Sequence, residues 1–153
     1  RCLSHHLNNE EMRGSDRVVF HICAPAGEYR RFDHVVDMAT ILIGDTEISD
    51  ALALSLKEQF SDIRDHQYHL NMTKPIYLSI EITNRDVIAT LIDCGKPWRQ
   101  DGWLHEPDAQ QKLLELLEAN AEHGRGKYIC AILTHSLEYR NGGRVRILAW
   151  TRK

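Results

Sequence analysis

Apolar positions in this chain recur with period two in some stretches and at helical spacing in others, and the breaks between them carry Gly, Pro, Asn or Asp. The run Val18-Val19-Phe20-His21-Ile22-Cys23 is β-branched and aromatic and stops at Ala24-Pro25-Ala26-Gly27, which predicts a strand and a turn. Phe32, Val35, Val36, Ala39, Leu42 and Ile43 then fall on one helical face, with Gly44 placed as the residue just past a helix end. The β-branched content of 34–43 also suits a strand, but the spacing favours a helix. Asp45 or Thr46 caps a second helix with the stripe Ile48, Leu52, Leu56, Phe60 and Ile63, and Asp50, Lys57, Glu58 and Asp62 lie on its outer face.

From Pro75 the period is two. Ile76, Leu78, Ile80 and Ile82 alternate with Tyr77, Ser79, Glu81 and Thr83, then Asn84-Arg85-Asp86 turns the chain into a return strand, Val87 to Asp93. Gly95 to Glu106 reads as a polar and aromatic loop. Pro107 stands where a first helical residue belongs, ahead of the stripe Leu113, Leu114, Leu116, Leu117 and Ala121. Tyr128 to Tyr139 and Arg144 to Trp150 read as a second hairpin around Asn141-Gly142-Gly143. In it Val145, Ile147 and Ala149 face the core, while Arg144, Arg146 and Arg152 share the other face with Leu148 and Trp150. The expected fold is α+β: a single antiparallel sheet of about five strands, made from two hairpins, with two or three helices packed on one face. Residues 1–15 form a polar arm and 16–153 one domain.

Composition narrows the class. At 153 residues, 42% hydrophobic and 27% charged, the chain suits one ordinary globular domain and is too apolar to be disordered. No apolar run approaches the ~18 residues of a membrane-spanning helix. Cys2, Cys23, Cys94 and Cys130 form no C-x-x-C pair and are sparse for a disulfide scaffold. We expect them reduced, with Cys23, Cys94 and Cys130 behaving as small buried hydrophobes, and with no apolar leader in view we expect the cytoplasm.

Familiar catalytic signatures are missing: no G-x-S-x-G, no H-E-x-x-H and no EF-hand loop. Gly124-Arg125-Gly126-Lys127 lacks both the upstream Gly and the following Ser or Thr of a P-loop, and it runs from a helix into an expected strand. No cofactor is predicted. Asp65, His66 and His69 sit at the end of the second helix, with the two imidazoles at i, i+3, a spacing that suits metal ligands, although exposed histidines near a helix C-terminus also suit the dipole. His135, on the expected face of Ile129, Ala131 and Leu133, is a candidate acid or base. Asp93 closes a strand and Glu81 lies on its neighbour, but no Lys completes a nuclease pattern.

Charge and aromatics point elsewhere. From Arg125 to the end there are seven cations (Arg125, Lys127, Arg140, Arg144, Arg146, Arg152, Lys153) and one anion, Glu138, a net of +6; with −3 overall, the rest of the chain carries −9. Trp98, Arg99 and Trp103 on one Gly-containing loop have the composition of a recognition surface. The leading expectation is therefore a small intracellular accessory or regulatory protein. It would bind a macromolecular partner through Trp98, Arg99 and Trp103 together with Arg140, Arg144, Arg146 and Trp150. A protein is the first expectation for that partner, nucleic acid the second through the basic hairpin, and a homo-oligomer closed by acidic helices on basic hairpins the third; no membrane is expected. The alternative is a compact hydrolase or nuclease using His66, His69 or His135 with an Asp or Glu.

Overall fold

Strands with one buried face need neighbours to pair with and a cover on that face, and the chain supplies both. In the computed structural model, which describes residues 17–98, 101–104, 106–120 and 125–153, β1 (Arg17–Pro25) pairs with β2 (Pro75–Thr83), and β2 with β3 (Asp86–Asp93). The sheet continues through β6 (Val145–Thr151) and β5 (Ser136–Arg140) to the short edge strand β4 (Gly102–Leu104). All neighbouring strands are antiparallel. Ile76, Leu78, Ile80 and Ile82 of β2 are all fully buried, which fixes the register, since a one-residue slip would turn all four to the other face.

The cover is helical. α1 (Tyr29–Ile43) buries Phe32, Val36, Ala39, Leu42 and Ile43 and ends at Gly44, whose φ of 72° is the left-handed conformation glycine adopts without strain. α2 (Thr46–Asp62) starts from Asp45, whose carboxylate accepts from the Ile48 N–H at 3.2 Å, and runs into a single π-helical turn, Ile63–Gln67. α3 (Glu106–Glu118) packs on α4 (Gly126–Leu133), and α4 packs on α2. Among the described residues the fold is thus α+β with one antiparallel sheet of six strands and four helices, one strand and at least one helix more than expected. No helix among the described residues is long and apolar enough to cross a membrane. The expected arm at 1–15 lies outside the described residues.

Three local expectations are corrected. Tyr128 to Leu133 belongs to α4 rather than to a strand. Its apolar residues are consecutive, so period cannot decide, and the α2 contact does: Cys130 is buried and its thiol donates to the Ser55 carbonyl at 3.3 Å. His135 consequently sits in the α4–β5 connection instead of on a strand face with Ile129, Ala131 and Leu133. On β6 the faces are exchanged, with Arg146, Leu148 and Trp150 buried and Val145, Ile147 and Ala149 on the open side. A buried guanidinium breaks the pattern that a polar residue normally marks. Finally, Cys23 and Cys94 are exposed and free, and among the described cysteines only Cys130 is a buried thiol, pushed up to about 12 by burial.

Candidate functional site

The C-terminal half of α2 with the turn that follows it, the Trp98 side chain and the start of α4 meet around one cavity of about 520 Å³. α2 contributes Glu58, Ser61 and Asp62, spaced so that Glu58 and Asp62 share a face at i, i+4. The π-helical turn adds Asp65, His66 and Gln67. Opposite stand Arg125, Gly126 and Lys127, and Trp98 forms a wall between them. Gly126 lies against the Glu58 carboxylate: a Cβ there would come 2.8 Å from Glu58 Oε2, the mobile end of that side chain.

Tyr68 secures the turn below. Its hydroxyl donates to the Pro75 carbonyl and accepts from the Cys94 N–H at 3.0 Å, tying the end of α2 to β2 and β3. Trp98 is fixed by its backbone N–H to the Gly142 carbonyl (2.8 Å) and its indole N–H to the Gly143 carbonyl (3.1 Å). The ring meets Tyr139 edge-on at 5.4 Å, and the Lys127 ammonium stands 5.8 Å from it.

Beneath Asp62 lies a buried ionic network. Arg146 Nη1 donates to Gln59 Oε1 and to Asp62 Oδ2, each at 2.7 Å, and Nη2 is 3.7 Å from Asp93 Oδ2. The guanidinium also lies under the Trp98 ring, 5.4 Å from its centroid. Asp93 is fully buried. Its Oδ1 accepts from the Gly95 N–H at 2.8 Å, while Oδ2 has no hydrogen bond. Burial holds the Asp93 carboxyl above its ordinary value, helped by the Asp62 charge, while the Gly95 N–H and Arg146 pull the other way. Gly95 is tightly flanked, since a Cβ would lie 3.0 Å from Asp93 Oδ1 and 3.1 Å from Gln67, which would have to give way.

The sequence-predicted residues scatter. Trp98 stands in the cavity wall; Arg99 lies outside the described residues; Trp103 is 54% exposed on β4. Arg140 pairs with Glu138 at 2.6 Å, and Arg144 donates to Asn141. Arg146 and Trp150 are buried, the latter with its indole N–H on the Leu133 carbonyl at 2.9 Å, which leaves neither an open surface for a partner. Asp65 and His66 line the cavity but His69 does not. His135 lies at the far end of α2, where its Nδ1 accepts from the Thr151 N–H at 2.7 Å. The histidines are not brought together, and among the described residues no three His, Cys, Asp or Glu side chains form a metal-binding group.

Sequence reading missed Glu58, Asp62, Asp93, Arg125 and Lys127 as a set. Its available signals were the i, i+4 acids on α2, the Asp-x-Gly at 93–95 and the Gly-Arg-Gly-Lys at 124–127, set aside for not being a P-loop. No curated protein matches the chain. A family model does, that of the histidine kinase-like ATPase domain, over residues 26–150. That span runs from the turn after β1 to the buried end of β6 and takes in every element around the cavity, so the chain belongs to the histidine kinase-like ATPase domain family.

Proposed function

We propose that the chain binds ATP with a divalent cation in the cavity between α2 and α4, and that it acts as a regulatory module toward a protein partner. The observation that carries this reading is the facing of Arg125 and Lys127 across one cavity from Glu58 and Asp62. A polyphosphate there meets two cations and the N-terminal end of α4, whose dipole favours anions. Glu58 and Asp62 face the same space. A magnesium ion is usually held by one or two carboxylates plus phosphate oxygens and water, so the absence of a three-residue protein cluster among the described residues is compatible with it.

The inner end of the site fits a base. Asp93 lies beneath the cavity lining, and its Oδ2 is a buried acceptor without a hydrogen bond, 3.7 Å from Arg146 Nη2. An exocyclic amino group would satisfy that acceptor. Trp98 offers an aromatic wall.

The partner reading draws on the neighbouring surface. Trp98 and Lys127 also line a second cavity of about 480 Å³ beneath Trp103, so a nucleotide in the first borders what the second displays. Nucleic acid is disfavoured. Of the C-terminal cations, Arg140 is paired, Arg146 is buried and Arg152 donates to the carbonyls of Thr83 and Ile43.

Calorimetric titration with Mg·ATP is the test. One-site saturable binding is expected, weakened about tenfold or more by Lys127→Ala in a chain that keeps its far-UV spectrum, equivalent to ~1.4 kcal/mol. Absence of saturable binding to the unaltered chain overturns the proposal. A partner would be sought by pull-down with and without ATP, where loss of retention in Trp103→Ser is expected.

A further inference from the structure

The other end of α2 carries a separate cavity of about 380 Å³, which shares no lining residue with the one described above. Ala51 and Leu54 of α2, Ile132 and Leu133 of α4 and Trp150 of β6 make it apolar. Leu54 is 44% exposed at its edge. The mouth is acidic: Glu47 and Asp50 stand exposed beside Asp45, with Lys153 as the one opposing ammonium in the lining. Asp50 also borders a shallower cavity at the α1–α2 connection, where Ile41 is 72% exposed beside Asp37. The exposed apolar residues Ile41 and Leu54, one at each of these cavities, are thereby accompanied by Asp37, Glu47 and Asp50, none of which makes an ion pair with another described residue.

Exposed large aliphatic side chains beside a preformed cavity are the surface a protein partner covers, and unpaired carboxylates around them choose the sign of that partner. We propose that this groove docks a basic amphipathic segment of a partner protein, seating one large aliphatic or aromatic side chain between Leu54 and Ile132 with Lys or Arg over Glu47 and Asp50. Phosphate-bearing partners, whether nucleic acid or lipid headgroups, meet like charge at the mouth. The inference is independent of nucleotide binding and stands or falls separately.

The test uses the full chain and a synthetic helical peptide of Leu and Lys at i, i+3 and i+4 spacing as probe, followed by amide chemical shifts. Saturable shifts are expected at 45–54, 130–135 and 149–153. Affinity should fall about tenfold or more between about 50 mM and about 500 mM NaCl, and by a similar factor in the double variant Glu47→Lys/Asp50→Lys. Both side chains are exposed, and because Glu47 stands in the first turn of α2, where a cation opposes the helix dipole, the double variant is first shown to keep its far-UV spectrum. Leu54→Asp should abolish binding, and a peptide with Glu in place of Lys should not bind. Shifts centred on another face overturn the proposal. So do equal affinity for the Glu peptide and burial of this groove by a second copy of the chain in sedimentation.

Discussion

Arg146 sits among core side chains with Asp62 on one side and Asp93 on the other, and only Asp62 reaches solvent. A guanidinium in such a place is held by its partners, and removing it leaves carboxylates without a counter-charge. Arg146→Ala should therefore cost about 3–5 kcal/mol of unfolding free energy in urea, within the range for broken buried ion pairs. A loss below about 1 kcal/mol would mean that the network adds little, as exposed pairs do. Asp93 makes a prediction in pH. Its carboxyl is raised above the ordinary value of 3.8, so the folded chain holds that proton more tightly than the unfolded chain does. Stability from this group is complete below that value and is lost as pH climbs through the raised one. Unfolding measured across an acid-to-neutral pH series should show the advantage of the native chain over Asp93→Asn shrinking as pH rises. A gap independent of pH would remove Asp93 from the balance.

Among the elements, α2 is where local chemistry and tertiary role agree most closely. Its stripe, cap and preceding Gly44 were all readable in sequence, and the cap makes a direct prediction. Asp45→Ala frees the Ile48 N–H and should cost about 1 kcal/mol, read as a lowered urea midpoint at unchanged slope. The β2–β3 hairpin was equally readable, because strict alternation admits one buried face. α4 was not. Its apolar run carries no period, and only packing against Ser55 and Gln59 of α2 makes it a helix. β6 misled for a different reason. A sequence rule places arginine outside, and Arg146 is inside because two acids and a glutamine, distant in sequence, converge on it. The site was hidden by the same gap. Glu58, Asp62, Asp93, Arg125 and Lys127 come from three segments, and none of the local motifs they form is distinctive alone.

At the scale of the whole molecule, the segregation of charge is real in sequence but is not a two-sided surface. The basic C-terminal stretch is distributed among a buried network, a cavity rim and a staple from Arg152 to the ends of β2 and α1, while Asp37, Glu47 and Asp50, which make no ion pair with another described residue, collect along α1 and the start of α2. The two described cavities lie at opposite ends of the same helix pair, α2 and α4. α4 has eight residues and so is about 12 Å long, with Lys127 near one end and Leu133 at the other. It is in effect a short beam resting on α2, with a cavity at each end. If a segment at the Leu54 end and a nucleotide at the Lys127 end each discriminated between two tilts of the beam, each would alter the affinity for the other by the same factor. Communication between the two ends then needs no residue common to both, only a beam too short and too well packed to bend.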